Sequence, residues 1–170
     1  MASLDRTVAA DATGGAPGVD ELAQHELAAW RGLLRVHAAL VKALDAELVA
    51  EHDLPLSSYE VLITLRAAPG RRCRMAELAD RVLLSRSGMT RLVDRLEREG
   101  LLERSTCSSD GRGCFAVLTD AGEELLARAR PTHLQGVRER FLRHFDGREL
   151  SAMAAWWDRV LPEPDLSPSD

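Results

Sequence analysis

The 170-residue sequence has no run approaching the ~20 consecutive apolar residues needed to span a bilayer. Its first residues, with Asp5, Arg6 and Asp11 among Ala and Gly, lack the apolar centre of a secretory signal. Both absences lead to the expectation of a cytoplasmic protein with no membrane partner. Three cysteines, an odd number without a secretion signal, point to free thiols rather than a disulfide framework. The five histidines (25, 37, 52, 133 and 144) form no short-spaced cluster with Cys or acids, so no metal site is expected. No glycine-rich phosphate loop, nucleophile elbow or paired catalytic signature appears. These gaps exclude the common enzyme classes and leave no cofactor to expect. Lysine is nearly missing as well: Lys42 stands alone against 21 arginines.

What is present is unevenly charged. A net charge of -5 argues, taken alone, against a nucleic-acid partner. Yet residues 71–113 hold ten arginines against seven acids, a balance of +3, while the rest of the chain carries 12 basic and 20 acidic groups, a balance of -8. Acid elsewhere would repel a phosphate backbone and restrict docking to one basic face. The length suits one domain with a dimerising annex.

Residues 1–19 are rich in Ala, Gly and Thr and show no periodic apolar face, so they are expected to be disordered. The proline-bearing tail 162–170 reads as flexible in the same way. Between them the pattern is helical. From Asp20 to Glu51, Ala23, Leu27, Trp30, Leu34, Val41, Leu44 and Leu48 keep near a 3.6-residue period. Such a helix would exceed ~40 Å, more than a compact small domain requires, so its stripe is expected to bury against another chain. A second helix is expected after Ser57 as N-cap, with Glu60 completing a capping box and Leu56 and Val61 as a staple, and ending before Pro69-Gly70. Arg71 to Arg74 supply one short strand. Thr119 caps a long helix with apolar positions from Leu125 to Phe145 and a kink expected at Pro131. Asp146, with Glu149, caps a last one carrying Leu150, Met153, Trp157 and Val160.

The chemistry lies between these helices. Met75, Leu78, Ala79 and Val82 occupy i, i+3, i+4 and i+7, and Met89, Leu92, Val93 and Leu96 repeat the spacing. Ser85 is a natural N-cap between the two segments, and Gly100 stands where a left-handed residue would end the second. The face opposite the second stripe carries Ser87, Arg91, Asp94, Arg95 and Arg98. Guanidinium groups on such a face donate bidentately to guanine or clamp phosphate. The first turn, Ser85-Arg86-Ser87-Gly88, offers hydroxyls and N–H groups to the same partner. Ser85, Arg86, Ser87, Thr90 and Arg91 are therefore the candidates for a DNA groove, with Arg95 and Arg98 expected to touch phosphates or pair with Asp94. The competing reading is a solvated charged face on an ordinary surface helix.

Leu101 to Leu118 then reads as a hairpin. Gly111 and Gly113 permit a tight tip that leaves Arg112 projecting, suited to a minor groove, with Asp110 orienting it as wing support. If Asp110-Gly111 is a two-residue turn, Cys107 and Cys114 face each other across the strands, and oxidation would stiffen or distort the hairpin. The simpler reading is that both fill strand faces. The expected fold is mainly α with a small β-wing: a winged helix-turn-helix over 55–118, with terminal helices, 20–52 and 119–161, forming a dimerisation domain.

Met75-Ala-Glu-Leu-Ala-Asp, Leu84-Ser-Arg-Ser-Gly-Met-Thr-Arg-Leu-Val-Asp-Arg-Leu-Glu, Gly100-Leu, Asp110-x-Arg112 and Leu118-Thr-Asp-Ala-Gly together resemble the multiple-antibiotic-resistance regulator (MarR) family. The likeness covers about Asp20 to Leu161 in element order. It implies a homodimer, a palindromic double-stranded DNA operator read by two recognition helices, and release by a small aromatic or phenolic effector. The family's effector pocket lies where the first two helices meet the DNA-binding lobe. Mapped onto this chain, it implicates Trp30, Arg31, His37, Tyr59 and Arg66; the alternative is that Trp30 and Tyr59 simply pack the dimer core. The chain is thus read as a transcriptional regulator, in the repressor sense, with a helical protein-interaction module that uses the winged fold without DNA as the alternative.

Overall fold

The computed structural model describes residues 21–82, 86–106 and 114–161. Among them are α1 (Gln24–His52), α2 (Leu56–Ala67), β1 (Arg72–Arg74), α3 (Met75–Arg81), α4 (Arg86–Arg98), β2 (Leu102–Thr106), β3 (Cys114–Leu118), α5 (Asp120–Arg140) and α6 (Gly147–Val160). Expectations for residues 1–19 and 162–170, for the Ser85 cap, and for the hairpin tip with Cys107, Asp110 and Arg112 fall outside the described residues.

The chain divides into two compact units between Ala38 and Ala39, inside α1. The N-terminal unit contributes the first half of that helix, whose apolar side chains Trp30, Leu33, Leu34 and Val36 all stand in solvent. The larger unit holds the core. Leu44 and Leu48 of α1, Leu62 and Leu65 of α2, Leu78 of α3, Val93 and Leu96 of α4 and Leu126 of α5 are buried together in it. Each such side chain contributes roughly 1.5–3 kcal/mol on leaving water, so the stripes read from the sequence are the adhesive of this fold.

Helix α2 starts differently from the sequence expectation. Leu56, not Ser57, opens it; Pro55 is the N-cap residue and offers no side-chain bond. The carboxylate of Asp45, on α1, accepts the Leu56 N–H at 2.9 Å and does the capping from another helix. At α5 the expectation holds. Thr119 Oγ1 accepts the Gly122 N–H at 3.1 Å and also donates to the Gly100 carbonyl at 2.8 Å, which joins the end of α4 to the start of α5. Asp146 and Glu149 form the capping box of α6. Helix α5 continues through Pro131 and stops at Arg140, earlier than its apolar pattern suggested, because Phe141 leaves helical geometry at φ -127 and ψ -65.

The sheet is antiparallel with strand order β1-β3-β2. Its hairpin register pairs Thr106 with Cys114 and Leu102 with Leu118. That is one residue away from the register that would oppose Cys107 to Cys114. The cross-hairpin disulfide geometry inferred from a two-residue turn is therefore corrected, since a one-residue slip exchanges the faces of a strand. Cys73 of β1 is a free, buried thiol.

Candidate nucleic-acid interface

Helix α4 is built to show one face and hide the other. Met89, Leu92, Val93 and Leu96 turn inward and are buried. Thr90, Arg91, Asp94 and Arg98 are exposed. The helix ends in a Schellman arrangement: Leu101 N–H bonds the Leu96 carbonyl, Gly100 N–H bonds the Glu97 carbonyl, and Gly100 takes φ +72. Helix α3, with Leu78 and Ala79 buried, supports it from below.

The charged groups of the exposed face sort into anchored and unanchored ones. Arg104 of β2 reaches Asp94 and Glu97 on α4, each at 2.5 Å. Partial burial pulls the Arg104 guanidinium down, but the two carboxylates outweigh it and hold the group above its ordinary range. Arg95 does not pair with Asp94, one of the two roles foreseen for it. Its Nη2 donates to Ser58 Oγ at 2.6 Å, and Nε lies 3.9 Å from Glu99. Arg91 and Arg98 have no ion pair among the described residues. These two are the guanidinium groups left over for an external anion.

Of the remaining sequence candidates, Thr90 lies on the exposed face beside Arg91. Arg86 and Ser87 are placed by backbone in the first turn of α4, while Ser85, Asp110 and Arg112 lie outside the described residues. Sequence reasoning did not single out Arg72 and Arg74. Both lie on the exposed side of β1 and flank the Phe115 ring, 5.3 and 5.4 Å from its centroid, which adds positive charge to the sheet beside α4. Their alternation about buried Cys73 was the available signal.

The effector candidates belong to both units. Trp30, Arg31 and His37 are exposed on the first half of α1. Tyr59 is a core residue, 4% exposed, its ring 4.4 Å from that of His133 on α5. Burial pushes the Tyr59 hydroxyl up in pKa, with Arg130 and Arg66 pulling it back. Arg66 lies 3.9 Å from Glu123 and helps line a cleft of about 770 Å³ between α2 and α5, with Arg130 and Arg138 also on its wall. Among the described residues no cluster of His, Cys, Asp and Glu could hold a metal, and no helix is long and apolar enough to cross a membrane.

An outward polar face on the second helix of a helix-turn-helix, followed by a small antiparallel sheet, defines a winged helix-turn-helix protein. A MarR family model matches residues 52–113. The chain resembles Sco3205, a MarR family transcriptional regulator from Streptomyces coelicolor whose structure was determined with DNA, at 32% identity and TM-score 0.80 over 88% of this chain and 96% of that one. It is 30% identical to the HTH-type transcriptional regulator YkoM of Bacillus subtilis over 112 residues, 64% of this chain and 71% of that one. It is also 33% identical to the transcriptional repressor MprA of Escherichia coli over 73 residues, 43% of this chain and 42% of that one. This chain belongs to the MarR family of transcriptional regulators. Membership decides between the two expectations raised by the sequence in favour of the regulator, and the family consists of regulators rather than enzymes.

Proposed function

We propose that the protein is a cytoplasmic, homodimeric repressor that grips a palindromic operator with two copies of α4. The observation that carries this reading is the division of labour on α4, whose apolar side is buried in the core while Arg91 and Arg98 are exposed and have no ion pair among the described residues. Sco3205, similar over nearly its whole length, was crystallised with DNA, and MprA is a repressor. In this reading Ser85, Arg86, Ser87, Thr90 and Arg91 meet the major groove, Arg95 the phosphates, and Arg112, oriented by Asp110, the minor groove.

The dimer is assigned to residues 20–52 and 119–161, flanking a DNA-binding part at 55–118. Helix α6 supports this assignment: it has no buried residue, and Trp156, Trp157, Val160 and Leu161 are 54%, 45%, 76% and 65% exposed. A second copy covering these tryptophans would remove apolar surface that an isolated chain leaves in water. An aromatic or phenolic acid is the proposed effector, with Tyr59 and Arg66 of the larger unit as candidate contacts and Trp30, Arg31 and His37 of the first half of α1 as those the family resemblance adds. The arginine-walled cleft beside α5 is the feature that favours an acid. Release then needs only a ligand that binds the non-gripping arrangement of the two recognition helices more tightly.

Footprinting on the DNA beside the protein's own gene, followed by titration of the protected duplex at several salt concentrations, tests the proposal. A regulator of this kind loses affinity with a slope of roughly one logarithmic unit per neutralised phosphate. Binding that ignores salt, or no protected site at all, would sink the reading.

A further inference from the structure

Between the start of α2 and the outward face of α4 lies a cleft of about 300 Å³, lined by Ser57, Gly88, Arg91, Leu92 and Arg95. Among the described residues that line it, two are arginines and none is an acid. Arg95 is held in place there, because its Nη2 donates to the Ser58 hydroxyl at 2.6 Å and Ser58 is itself buried, 1% exposed. Ser57, the neighbour that the sequence cast as a helix cap, does not cap: α2 begins before it, and Asp45 takes the Leu56 N–H. The Ser57 hydroxyl, half-buried on the wall, has no hydrogen-bond partner among the described residues.

A pinned guanidinium, a second guanidinium without an ion pair and a spare hydroxyl converge on one concave space. A tetrahedral oxyanion with several acceptor oxygens uses all three groups, whereas an apolar ligand would leave the Arg91 guanidinium and the Ser57 hydroxyl without a partner. We propose that this cleft seats one backbone phosphodiester of the bound duplex, with Ser57 as a phosphate-positioning residue contributed by α2 from outside the helix-turn-helix. The inference rests on the DNA-binding reading above and adds a contact to it. Arg91 would then stand at the seam, able to reach a base edge while its neighbour Arg95 fixes the strand that borders the groove.

The test uses the full chain, a duplex carrying its footprinted site and a random duplex of equal length. Ser57→Asp places a carboxylate in the cleft, and an acid in the first turn of a helix favours folding, so loss of binding is separable from loss of structure. The expected result is about a tenfold weakening on both duplexes alike, with the salt slope shallower by about one unit and thermal stability kept. Ser57→Ala should weaken both by about two- to threefold, since a neutral hydroxyl bond is lost and no repulsion added. Unchanged binding by Ser57→Asp, with the parent chain still binding in a salt-dependent way, overturns the phosphate seat and leaves the DNA reading standing. Weakening on the footprinted duplex alone overturns it too, as that pattern belongs to a base contact. A parent chain that binds neither duplex defeats the DNA reading itself. Inorganic phosphate separates a free anion from a strand: it should not displace either duplex beyond the effect of equal ionic strength, and if it does so for the parent but not for Ser57→Asp, the cleft takes free phosphate and the proposal fails.

Discussion

Arg104 and Glu97 are joined twice. One carboxylate oxygen of Glu97 accepts the Arg104 backbone N–H at 3.1 Å and the other accepts its guanidinium at 2.5 Å, while Asp94, one turn earlier on α4, takes the remaining arm. The first strand of the hairpin is thereby tied to the same helix that carries Arg91. The groups remain partly in water, 27% exposed for Arg104 and 38% for Glu97, so the pair contributes about 1 kcal/mol rather than a buried-pair value. A double-mutant cycle combining Arg104→Ala with Glu97→Gln should return a coupling of about that size in chemical denaturation. Coupling near zero would show that strand and helix are held by packing alone.

Arg91→Ala tests base reading on top of the proposed phosphate contact: both duplexes weaken, and the operator weakens more. With Arg91 exposed and without an ion pair among the described residues, its removal should leave the fold intact and cost about 1–3 kcal/mol of preference for the operator over random DNA. Arg112→Ala, at the position the sequence assigns to a hairpin tip, should instead weaken both duplexes alike. Equal operator affinity for the parent and Arg91→Ala would move the specificity determinant elsewhere on α4.

Helix periods, caps and stops were legible in the sequence because they are local. The spacing of Met75, Leu78, Ala79 and Val82 follows from the 3.6-residue turn, and Asp146 with Glu149 or Gly100 after Arg98 act within one turn of their own helix. What escaped was decided across the fold. Asp45 caps α2 from another helix, eleven positions away, so Ser57 looked like a cap and was not. The partner of Asp94 is Arg104, ten positions on, rather than its neighbour Arg95, because the strand brings that guanidinium over the helix. The hairpin register depended on a loop length that Asp110-Gly111 alone did not fix. For the site, the arginine face of α4 could be read from spacing, but not which arginines are already engaged.

Gly122→Ala should be among the most damaging single-methyl changes in the chain. A Cβ at Gly122 would collide with the Leu101 carbonyl and stand 2.7 Å from Leu118 Cδ1, where α5 is pressed against the end of α4. Overpacking of this kind costs about 1–3 kcal/mol or more. At Gly147, in the first turn of α6, a Cβ meets nothing within 4 Å. Gly147→Ala should therefore leave the melting temperature unchanged or raise it slightly. Similar melting temperatures for both variants would contradict the close approach of α5 to Leu101.

Cys73 is expected to be chemically silent. Burial, then the Glu77 carboxylate, pushes its thiol up to about 11. In a Cys107→Ser, Cys114→Ser background a disulfide-forming thiol reagent at neutral pH should label it only after unfolding. The raised folded value also sets an alkaline limit. The unfolded thiol ionises near 9.0 and the folded one near 11, so stability is fully present below that window and declines as pH rises through it. Rapid labelling of the native protein would show that β1 opens.

His133 sets the corresponding limit on the acid side. Its ring packs against Tyr59, burial lowers its pKa, and the buried Nδ1 has no hydrogen-bond partner among the described residues. The folded state therefore holds the neutral imidazole, while the unfolded chain takes up a proton near the ordinary value of about 6.5. Below that pH the unfolded state binds more protons than the native one, so stability falls as pH falls and stops falling only below the depressed folded value. His133→Phe keeps an aromatic ring against Tyr59 and removes the titrating nitrogen. Denaturant midpoints taken from about pH 7.5 down to about pH 5 should decline less steeply for this variant than for the parent. Parallel declines would mean that His133 takes up its proton over the same pH range folded and unfolded, and that burial against Tyr59 does not hold it neutral.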